Sequence, residues 1–108
     1  MPAVCKYNSS ANTERQTKVC GILWSESQVA GILKEKGLVQ GEADLGDVLD
    51  AVIRELGLPR SLKSVGVEGD ETLQGLAKNS LRDPWCVTNP RPLKEQAEVM
   101  KILAMAAG

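Results

Sequence analysis

Apolar residues recur along this chain mostly at the spacing of an α-helix. The clearest stretch runs from Leu45 to Leu56, where they return every three, four and seven positions. The repeating positions are Leu45, Val48, Leu49, Val52, Ile53 and Leu56. Asp44 directly precedes the stretch, where a short polar side chain caps a helix, and Gly57 and Pro59 follow it. The pattern therefore predicts a capped amphipathic helix over 45–56.

Five further segments are typical of helices, with short breaks between them. They cover 2–8, 12–24, 25–36, about 71–82 and about 93–106, and a single turn is expected near Leu62. Ser25 with Gln28 forms a capping-box pattern, Gly37 is placed to end that helix, and Asp70 is placed to cap the 71–82 helix. The positions predicted to face inward are Val19, Ile22 and Leu23; Val29, Ile32 and Leu33; Leu73, Leu76, Ala77 and Leu81; and Leu93, Ala97, Val99, Met100 and Leu103.

The predicted fold class is all-α, a single compact domain of about six or seven short helices at mixed angles. No segment alternates apolar and polar residues as a half-buried strand does, and 65–67 is too short to count as one. The helices are short and unequal in length, which argues against a regular four-helix bundle. A chain of 108 residues suits one domain, here 1–108.

Composition narrows the class of partner. The net charge is −1, with no cluster of basic residues, so nucleic acid is not an expected partner. The apolar runs are far shorter than the ~20 residues of a membrane span. The first ten residues lack the pattern of a signal peptide. Cys5, Cys20 and Cys86 form no C-x-x-C pair and are expected to be free thiols in the cytoplasm.

The chain contains no histidine. Histidine is the commonest general base and the commonest ligand of transition metals. Three scattered cysteines do not replace it as a zinc site. The sequence therefore predicts no metal and no cofactor bound by these residues, and any catalysis would depend on carboxylates, Lys, Tyr, Cys or binding alone.

A proline-rich segment, DPWCVTNPRP, interrupts the helical pattern at 83–92. Its prolines limit backbone freedom, so it is expected to be either a rigid connection or a rigid surface for a ligand. Trp85, Cys86, Asn89 and Arg91 are the candidate ligand-binding residues, and Tyr7 is a fifth. Each has an ordinary alternative. Trp85 and Tyr7 could pack against neighbouring side chains, and Cys86 could be an inert thiol. Asn89 could form a local turn, and Arg91 could be a solvated or carboxylate-paired cation.

Several stretches in order resemble the end of the iron-dependent alcohol dehydrogenases, with the maleylacetate reductases as the most similar branch. They are LGLPRSLKSVGV, ETLQGLAKNSLRDP and TNPRP with the helix after it. The opening MPAVCKYNSSANTERQ resembles the segment that follows that family's metal-binding histidines. The resemblance implies the C-terminal part of a helical domain. It also implies that the nucleotide-binding domain and the metal ligands lie outside these residues.

The same resemblance implies that 85–91 lies near the mouth of a substrate cleft, with Cys86 and Asn89 nearest a ligand. One departure is Lys94, where relatives often carry a Ser or Thr that caps the last helix. A weaker helix start is expected there.

Three functions remain open. The first is a stand-alone, truncated domain of secondary metabolism that is not a dehydrogenase by itself. It would bind a small organic substrate in a retained half-pocket and act without a cofactor, as a cyclase, isomerase or lyase. The second is a non-catalytic interaction domain or pseudoenzyme, and the third is a fragment that complements an alcohol dehydrogenase. In the longer members of the family, apolar surface of this helical part packs against the rest of the chain. Large exposed apolar surfaces are rare on monomers, so a homodimer, a higher homo-oligomer or a companion chain is expected to cover it.

Overall fold

A computed structural model describes all 108 residues and contains only helices and connecting turns. The elements are α1 (Pro2–Ser25), α2 (Ser27–Glu35), α3 (Leu45–Glu55), a 3₁₀ turn (Lys63–Val65), α4 (Asp70–Ser80), α5 (Trp85–Thr88) and α6 (Gln96–Ala106). The all-α prediction is confirmed. No helix combines the length and the apolar character needed to cross a bilayer.

The residues pack as two units, Met1–Pro59 and Arg60–Gly108. The first unit contains α1 to α3, and the second contains the 3₁₀ turn and α4 to α6. Each unit is described by itself below. The expectation of one domain over 1–108 stays a prediction.

Helix α1 joins the two helices predicted over 2–8 and 12–24 into one kinked helix. The kink lies at Asn12, whose φ of −136° and ψ of 35° are not helical. The side chain of Gln16 spans it, because Nε2 donates both to Oδ1 of Asn12 at 2.8 Å and to the carbonyl of Cys5 at 2.7 Å. A side chain inserted into the backbone ladder is a recognised cause of helix kinks.

The core of the first unit joins all three of its helices. Trp24, Leu33, Val48 and Ala51 form it, with Leu23 and Cys20 among the partly buried residues around it. The predicted inward face of 12–24 is wrong for Val19 and Ile22, which are 43% and 64% exposed. The face of α1 that turns inward is instead the i, i+4 row of Gln16, Cys20 and Trp24.

Helix α3 begins at the predicted residue, Leu45, and ends at Glu55, one residue before the predicted end. The Asp44 carboxylate accepts from the backbone N–H of Asp47 at 2.7 Å, and the Asp47 carboxylate accepts from the backbone N–H of Asp44 at 3.1 Å. This reciprocal pair is a capping box. Gly57 follows the helix at a φ of 68°. Its N–H and that of Leu58 close the last turn in the arrangement called a Schellman motif.

The capping box predicted at Ser25 is wrong. Ser25 is the last residue of α1, and its hydroxyl donates to the carbonyl of Ile22. Glu26 occupies the cap of α2, without a hydrogen bond from its side chain. The serine lies in a bend where two helices nearly abut, and a hydroxyl can satisfy the end of one helix as readily as the start of the next. Gly37 does end α2, at a φ of 84°.

In the second unit, α4 packs against α6, and only Ala77 and Val99 are buried. Nε2 of Gln96 donates to Oε1 and to the carbonyl of Gln74 across this contact. The backbone N–H of Leu62 donates to the carbonyl of Ala106 at 2.8 Å. Hydrogen bonds therefore accompany a small buried core in the second unit.

Two predicted helix starts in the second unit are corrected. Asp70 is the first helical residue of α4 rather than its cap, which is Gly69 at a φ of 94°. Helix α6 begins at Gln96 and not near Leu93, because the N–H of Leu93 donates to the carbonyl of Cys86 instead.

The inward faces predicted for α4 and α6 are also only partly correct. Ala77 and Val99 are buried as predicted, whereas Ala97 and Leu76 are exposed.

Candidate functional site

The proline segment, Asp83–Pro92, is held in shape by hydrogen bonds close in sequence. The carboxylate of Asp83 accepts from the backbone N–H of Trp85 at 2.9 Å. The side-chain amide of Asn89 donates to the carbonyl of Arg91 at 2.7 Å. The sequence predicted no helix here, but Trp85–Thr88 form the single turn α5. Asp83 supplies the hydrogen bond that starts this turn, in the manner of an Asx-turn.

The indole of Trp85 is 79% exposed, and the neighbouring Val87 is 67% exposed. The packing role considered for Trp85 is therefore not what the structure shows. Large apolar side chains that stand this far out of a rigid turn are available to a ligand or a partner. Arg91 is also exposed, and Asn89 is partly buried.

Cys86 is partly buried, and its thiol donates to the carbonyl of Ser80 at 3.2 Å. Nothing in the chain can act on it as a histidine base, since histidine is absent. The hydrogen bond to Ser80 gives the thiol of Cys86 a structural contact. The alternative of an inert Cys86 therefore fits the geometry.

Tyr7 belongs to the first unit and is 4% exposed on α1. Its burial fits the packing role considered for it. The other four candidate residues, Trp85, Cys86, Asn89 and Arg91, all belong to the proline segment in the second unit.

The first unit contains a pocket that the sequence did not indicate, here called the Trp24 pocket. Its volume is about 360 Å³, and it lies between the second half of α1 and the turn before α3. Its lining residues are Ser9, Thr13, Gln16, Thr17, Cys20, Gly21, Trp24, Gln40, Gly41, Glu42, Ala43, Asp44 and Leu45. One signal was present in the sequence: Thr13, Thr17 and Gly21 recur every four residues and leave a shallow row along α1.

Trp24 is 6% exposed, and its indole Nε1 is buried without a hydrogen-bond partner. Most buried polar groups in native proteins have a partner, so this N–H is an exception. Nε1 is the only buried side-chain nitrogen or oxygen in the protein with this property.

Beside the pocket, Lys6 on α1 joins both acidic residues of the capping box. Its Nζ lies 3.0 Å from Oδ2 of Asp44 and 2.7 Å from Oδ1 of Asp47. Partial burial acts to lower the pKa of Lys6, but the hydrogen bonds to both carboxylates outweigh it and the pKa lies above its ordinary value. Partial burial acts to raise the pKa of Asp47, but the hydrogen bonds from Lys6 and the backbone outweigh it and the pKa is lowered.

Burial raises the pKa of the thiols of Cys5 and Cys20, so both stay protonated near neutral pH. No group of three or more His, Cys, Asp or Glu side chains is arranged to hold a metal ion. The nearest pair of carboxylates, Asp44 and Asp47, is already bridged by Lys6.

Comparison with known proteins identifies the fold. Residues 1–107 match the C-terminal part of the Fe-containing alcohol dehydrogenase family. The chain belongs to this family. The resemblance stated from the sequence is confirmed at the level of the family, and the maleylacetate reductase branch stays a prediction.

Two curated relatives match nearly the whole chain. Dehydrogenase ALT3 of Alternaria alternata is 36% identical over 98% of this chain, and dehydrogenase FUM7 of Gibberella moniliformis (strain M3125 / FGSC 7600) is 32% identical over 99% of it. The chain spans only 28% and 26% of their lengths. The comparison with solved structures found no match.

The family name implies iron, and the side chains present do not fit it. No three His, Cys, Asp or Glu side chains converge within these 108 residues, and burial raises the pKa of the thiols of Cys5 and Cys20. No step of the proposals below uses a metal.

Proposed function

We propose that this chain is the small-molecule-binding helical part of a dehydrogenase-like protein, and that the proline segment contacts an organic substrate. The observation that carries the proposal is the ordered segment itself, in which both Trp85 and Arg91 are exposed. The chain's membership of a dehydrogenase family supports the choice of a small organic molecule over a macromolecule.

The proline segment is already ordered without a ligand, and this order favours binding. Three prolines restrict the backbone, and the hydrogen bonds at Asp83 and Asn89 hold both ends of α5 in place. A ligand that binds here orders little new structure, so less of its contact energy is lost to conformational entropy.

The exposed side chains suit a flat ligand with a negative group. Trp85 offers an aromatic face, and Arg91 offers a planar fork that pairs with a carboxylate or an enolate. Cys86 and Asn89 flank this surface with hydrogen bonds to the backbone. The thiol of Cys86 donates to the carbonyl of Ser80, and the side-chain amide of Asn89 donates to the carbonyl of Arg91. We assign them a positioning role.

Chemistry by these residues alone belongs to the cofactor-independent class. A substrate held in a folded conformation reacts faster because proximity replaces random encounter, which suits cyclisation, isomerisation or decarboxylation. Hydride transfer requires a nicotinamide site that none of the described motifs supplies. The prediction of no cofactor and no metal is kept as part of this proposal.

Trp85 provides a direct assay. In a Trp24→Phe variant it is the only tryptophan. Titration with maleate, a planar dicarboxylate, is expected to change its fluorescence in a saturable way. Arg91→Ala is expected to weaken the response at least about tenfold, as loss of a bidentate carboxylate contact implies.

Lys94→Ala is the matched control, since it removes a nearby positive charge outside the segment and should change binding less than about twofold. Circular dichroism confirms that each variant remains helical. An unsaturable response to maleate, or equal losses in the arginine and lysine variants, would remove the basis for this site.

A second candidate function is favoured by the exposed apolar side chains. Four large apolar side chains are more than half exposed: Ile22, Leu56, Trp85 and Val87. The chain spans only about a quarter of the length of its relatives. We propose that exposed apolar side chains of each unit are covered by a second copy, in a homodimer or higher homo-oligomer, or by a companion chain that completes a dehydrogenase. The protein then acts as an interaction domain without chemistry of its own.

Light scattering from micromolar to submillimolar concentrations tests this candidate. Self-association predicts a mass that rises to at least twice the monomer. Association with a companion predicts a monomer alone, a larger complex on mixing, and dehydrogenase activity only in the mixture. A monomer that binds no nucleotide-binding chain of the family contradicts both forms.

A further inference from the structure

The Trp24 pocket lies in the first unit, outside the proline segment, and the proposed function does not use it. One wall is the row of Thr13, Thr17 and Gly21 on α1, and the other is the turn that leads to α3. Its volume of about 360 Å³ falls within the range of pockets that hold small organic ligands. The lining is mostly apolar, so its few polar side chains determine which molecule fits.

The hydroxyl groups in the lining are already committed as donors. The hydroxyl of Ser9 donates to the carbonyl of Lys6. Those of Thr13 and Thr17 each donate to the carbonyl four residues earlier in α1. A hydroxyl has one proton and two lone pairs, so what these oxygens still offer to a ligand is acceptor capacity.

Gln16 adds an amide oxygen in a fixed orientation. Its residue is 8% exposed and lines both the Trp24 pocket and a smaller cavity of about 230 Å³. Its Nε2 donates to Asn12 and to the carbonyl of Cys5, and both of these residues line only the smaller cavity. Because a carbonyl accepts only from the amide nitrogen, the amide cannot be reversed, and Oε1 is the branch left for the Trp24 pocket.

This Oε1 is also open to a ligand. It accepts no hydrogen bond within the protein, and it is absent from the fully buried atoms without a partner, which comprise Nε1 of Trp24 alone. An amide oxygen that is held in place, unpartnered and accessible is suited to accept a hydrogen bond from a bound molecule.

The charge around the pocket is negative. Glu42 and Asp44 are the only carboxylates in the lining, and no lysine or arginine lines it. Glu42 forms no ion pair, whereas Lys6 bridges Asp44 and Asp47 and offsets one of their two charges. An anion would be repelled here, and a cation would be attracted.

We propose that the Trp24 pocket binds a small primary amine as its ammonium ion, which donates to Oε1 of Gln16 and is attracted by Glu42. Strong donors are scarce in the lining, because the indole N–H of Trp24 is fully buried and only Gln40 has an uncommitted amide. An ammonium group brings three donors and no acceptor, which complements such a lining. The rest of the ligand is apolar, like most of the pocket.

Three probes that share a benzyl group test this proposal. Benzylammonium, benzyl alcohol and benzyltrimethylammonium are compared by Trp24 fluorescence in a Trp85→Phe variant, where Trp24 is the only tryptophan. Benzylammonium is expected to give a saturable change with a dissociation constant on the order of 1 mM, as suits so small a ligand. Benzyl alcohol lacks the charge and benzyltrimethylammonium lacks the N–H groups, so each is expected to bind at least about fivefold more weakly.

A filled pocket provides the second test. Gly21 lines the pocket, and a Cβ built on it meets no atom within 4 Å, so Gly21→Leu should fold and occupy the space. Gly31→Leu is the matched control, because Gly31 is also helical and unobstructed but lies outside the lining. The first variant is expected to reduce benzylammonium affinity at least about tenfold, and the control less than about twofold.

Glu42→Gln separates charge from shape. It is expected to weaken benzylammonium binding about three- to fivefold and to leave benzyl alcohol binding within about twofold, as suits an exposed charge. Glu26→Gln is the matched control, because Glu26 is an exposed carboxylate outside the lining, and it should change neither affinity by more than about twofold.

The proposal is overturned by no saturable binding of benzylammonium or by equally tight binding of either other probe. Equal effects of the two glycine variants, or of the two glutamate variants, also overturn it. These outcomes are read from Trp24, so they are independent of the Trp85 assay for the proline segment.

Discussion

Substitution of Asp44 by alanine tests how α1 and α3 are joined. Asp44 has two roles in the first unit. Its carboxylate accepts from the backbone N–H of Asp47 at 2.7 Å, and it pairs with Lys6 at 3.0 Å. Asp44→Ala removes both interactions without creating a cavity in the core, because the side chain is 44% exposed.

The expected loss is about 1–2 kcal/mol in the free energy of unfolding. Loss of a helix N-cap costs about 0.5–2 kcal/mol. The ion pair adds less than about 1 kcal/mol, since both partners are more than a third exposed and water screens their attraction. Asp44→Asn keeps a cap acceptor and loses the charge, so it should cost less than half as much.

Urea unfolding followed by Trp24 fluorescence in the Trp85→Phe background measures this loss in the first unit. At a slope of about 1.5 kcal/mol/M, the midpoint of Asp44→Ala should fall by roughly 1 M. Glu26→Ala is the matched control, because Glu26 caps α2 without a side-chain hydrogen bond. Its midpoint should change by only a few tenths of 1 M, which is about the size of a helix-dipole effect. Equal losses in the two variants would refute the assignment of a structural cap to Asp44.

Three further predictions concern the same unit. Leu33→Ala should cost about 2–5 kcal/mol, because Leu33 is 0% exposed at the centre of the core; calorimetry checks this, and a loss below 1 kcal/mol would contradict it. Because the pKa of Asp47 is lowered in the folded state, its contribution should be complete above about pH 4 and lost as pH falls through the lowered pKa. Lys6→Met should therefore flatten the acid side of a stability–pH curve measured in urea, and an unchanged curve would argue against the bridge. Gly37→Ala should destabilise the protein by about 1 kcal/mol, because φ is 84° there, whereas Gly31→Ala should stabilise it by up to about 1 kcal/mol; melting temperatures that shift the same way would contradict this.

The elements that the sequence predicted well are those with local causes. Helix α3 has an uninterrupted apolar period and a capping residue next to it, and the structure starts and ends it within one residue of the prediction. Gly37 and Gly57 end their helices because only glycine adopts their left-handed backbone without strain. These features depend on neighbours a few residues apart, which a single sequence displays.

The elements predicted less well depend on choices between similar local patterns. Serine and aspartate commonly cap helices, so caps were predicted at Ser25 and Asp70. The structure caps α2 at Glu26 and α4 at Gly69 instead. On α1, the apolar residues Val19 and Ile22 suggested an inward face that the structure leaves exposed. Packing of Trp24 into the core of α2 and α3 outweighs burial of these two smaller side chains, since a large aromatic ring contributes more buried area.

The candidate site was also predicted only in part. The composition of the proline segment predicted either a rigid connection or a rigid surface for a ligand, and a local turn was expected at Asn89. The exposure of Trp85 could not be predicted, because the same residue in the same turn packs inward when a neighbouring helix faces it. The row of Thr13, Thr17 and Gly21 did not by itself predict the Trp24 pocket, since 15 residues separate Trp24 on one wall from Gln40 on the other.

The sequence by itself determined that this protein is helical, where most helices end, that it has no histidine, and which family it resembles. The helices and their ends follow from period and turn chemistry, which act over a few residues, whereas the family resemblance is carried by whole stretches in order, such as ETLQGLAKNSLRDP. Only the tertiary structure decided which face of α1 is buried, which tryptophan meets solvent, and that the indole N–H of Trp24 is buried without a partner. Those outcomes depend on competition among distant side chains for one small core, and the largest side chain available to it, that of Trp24, determined the result.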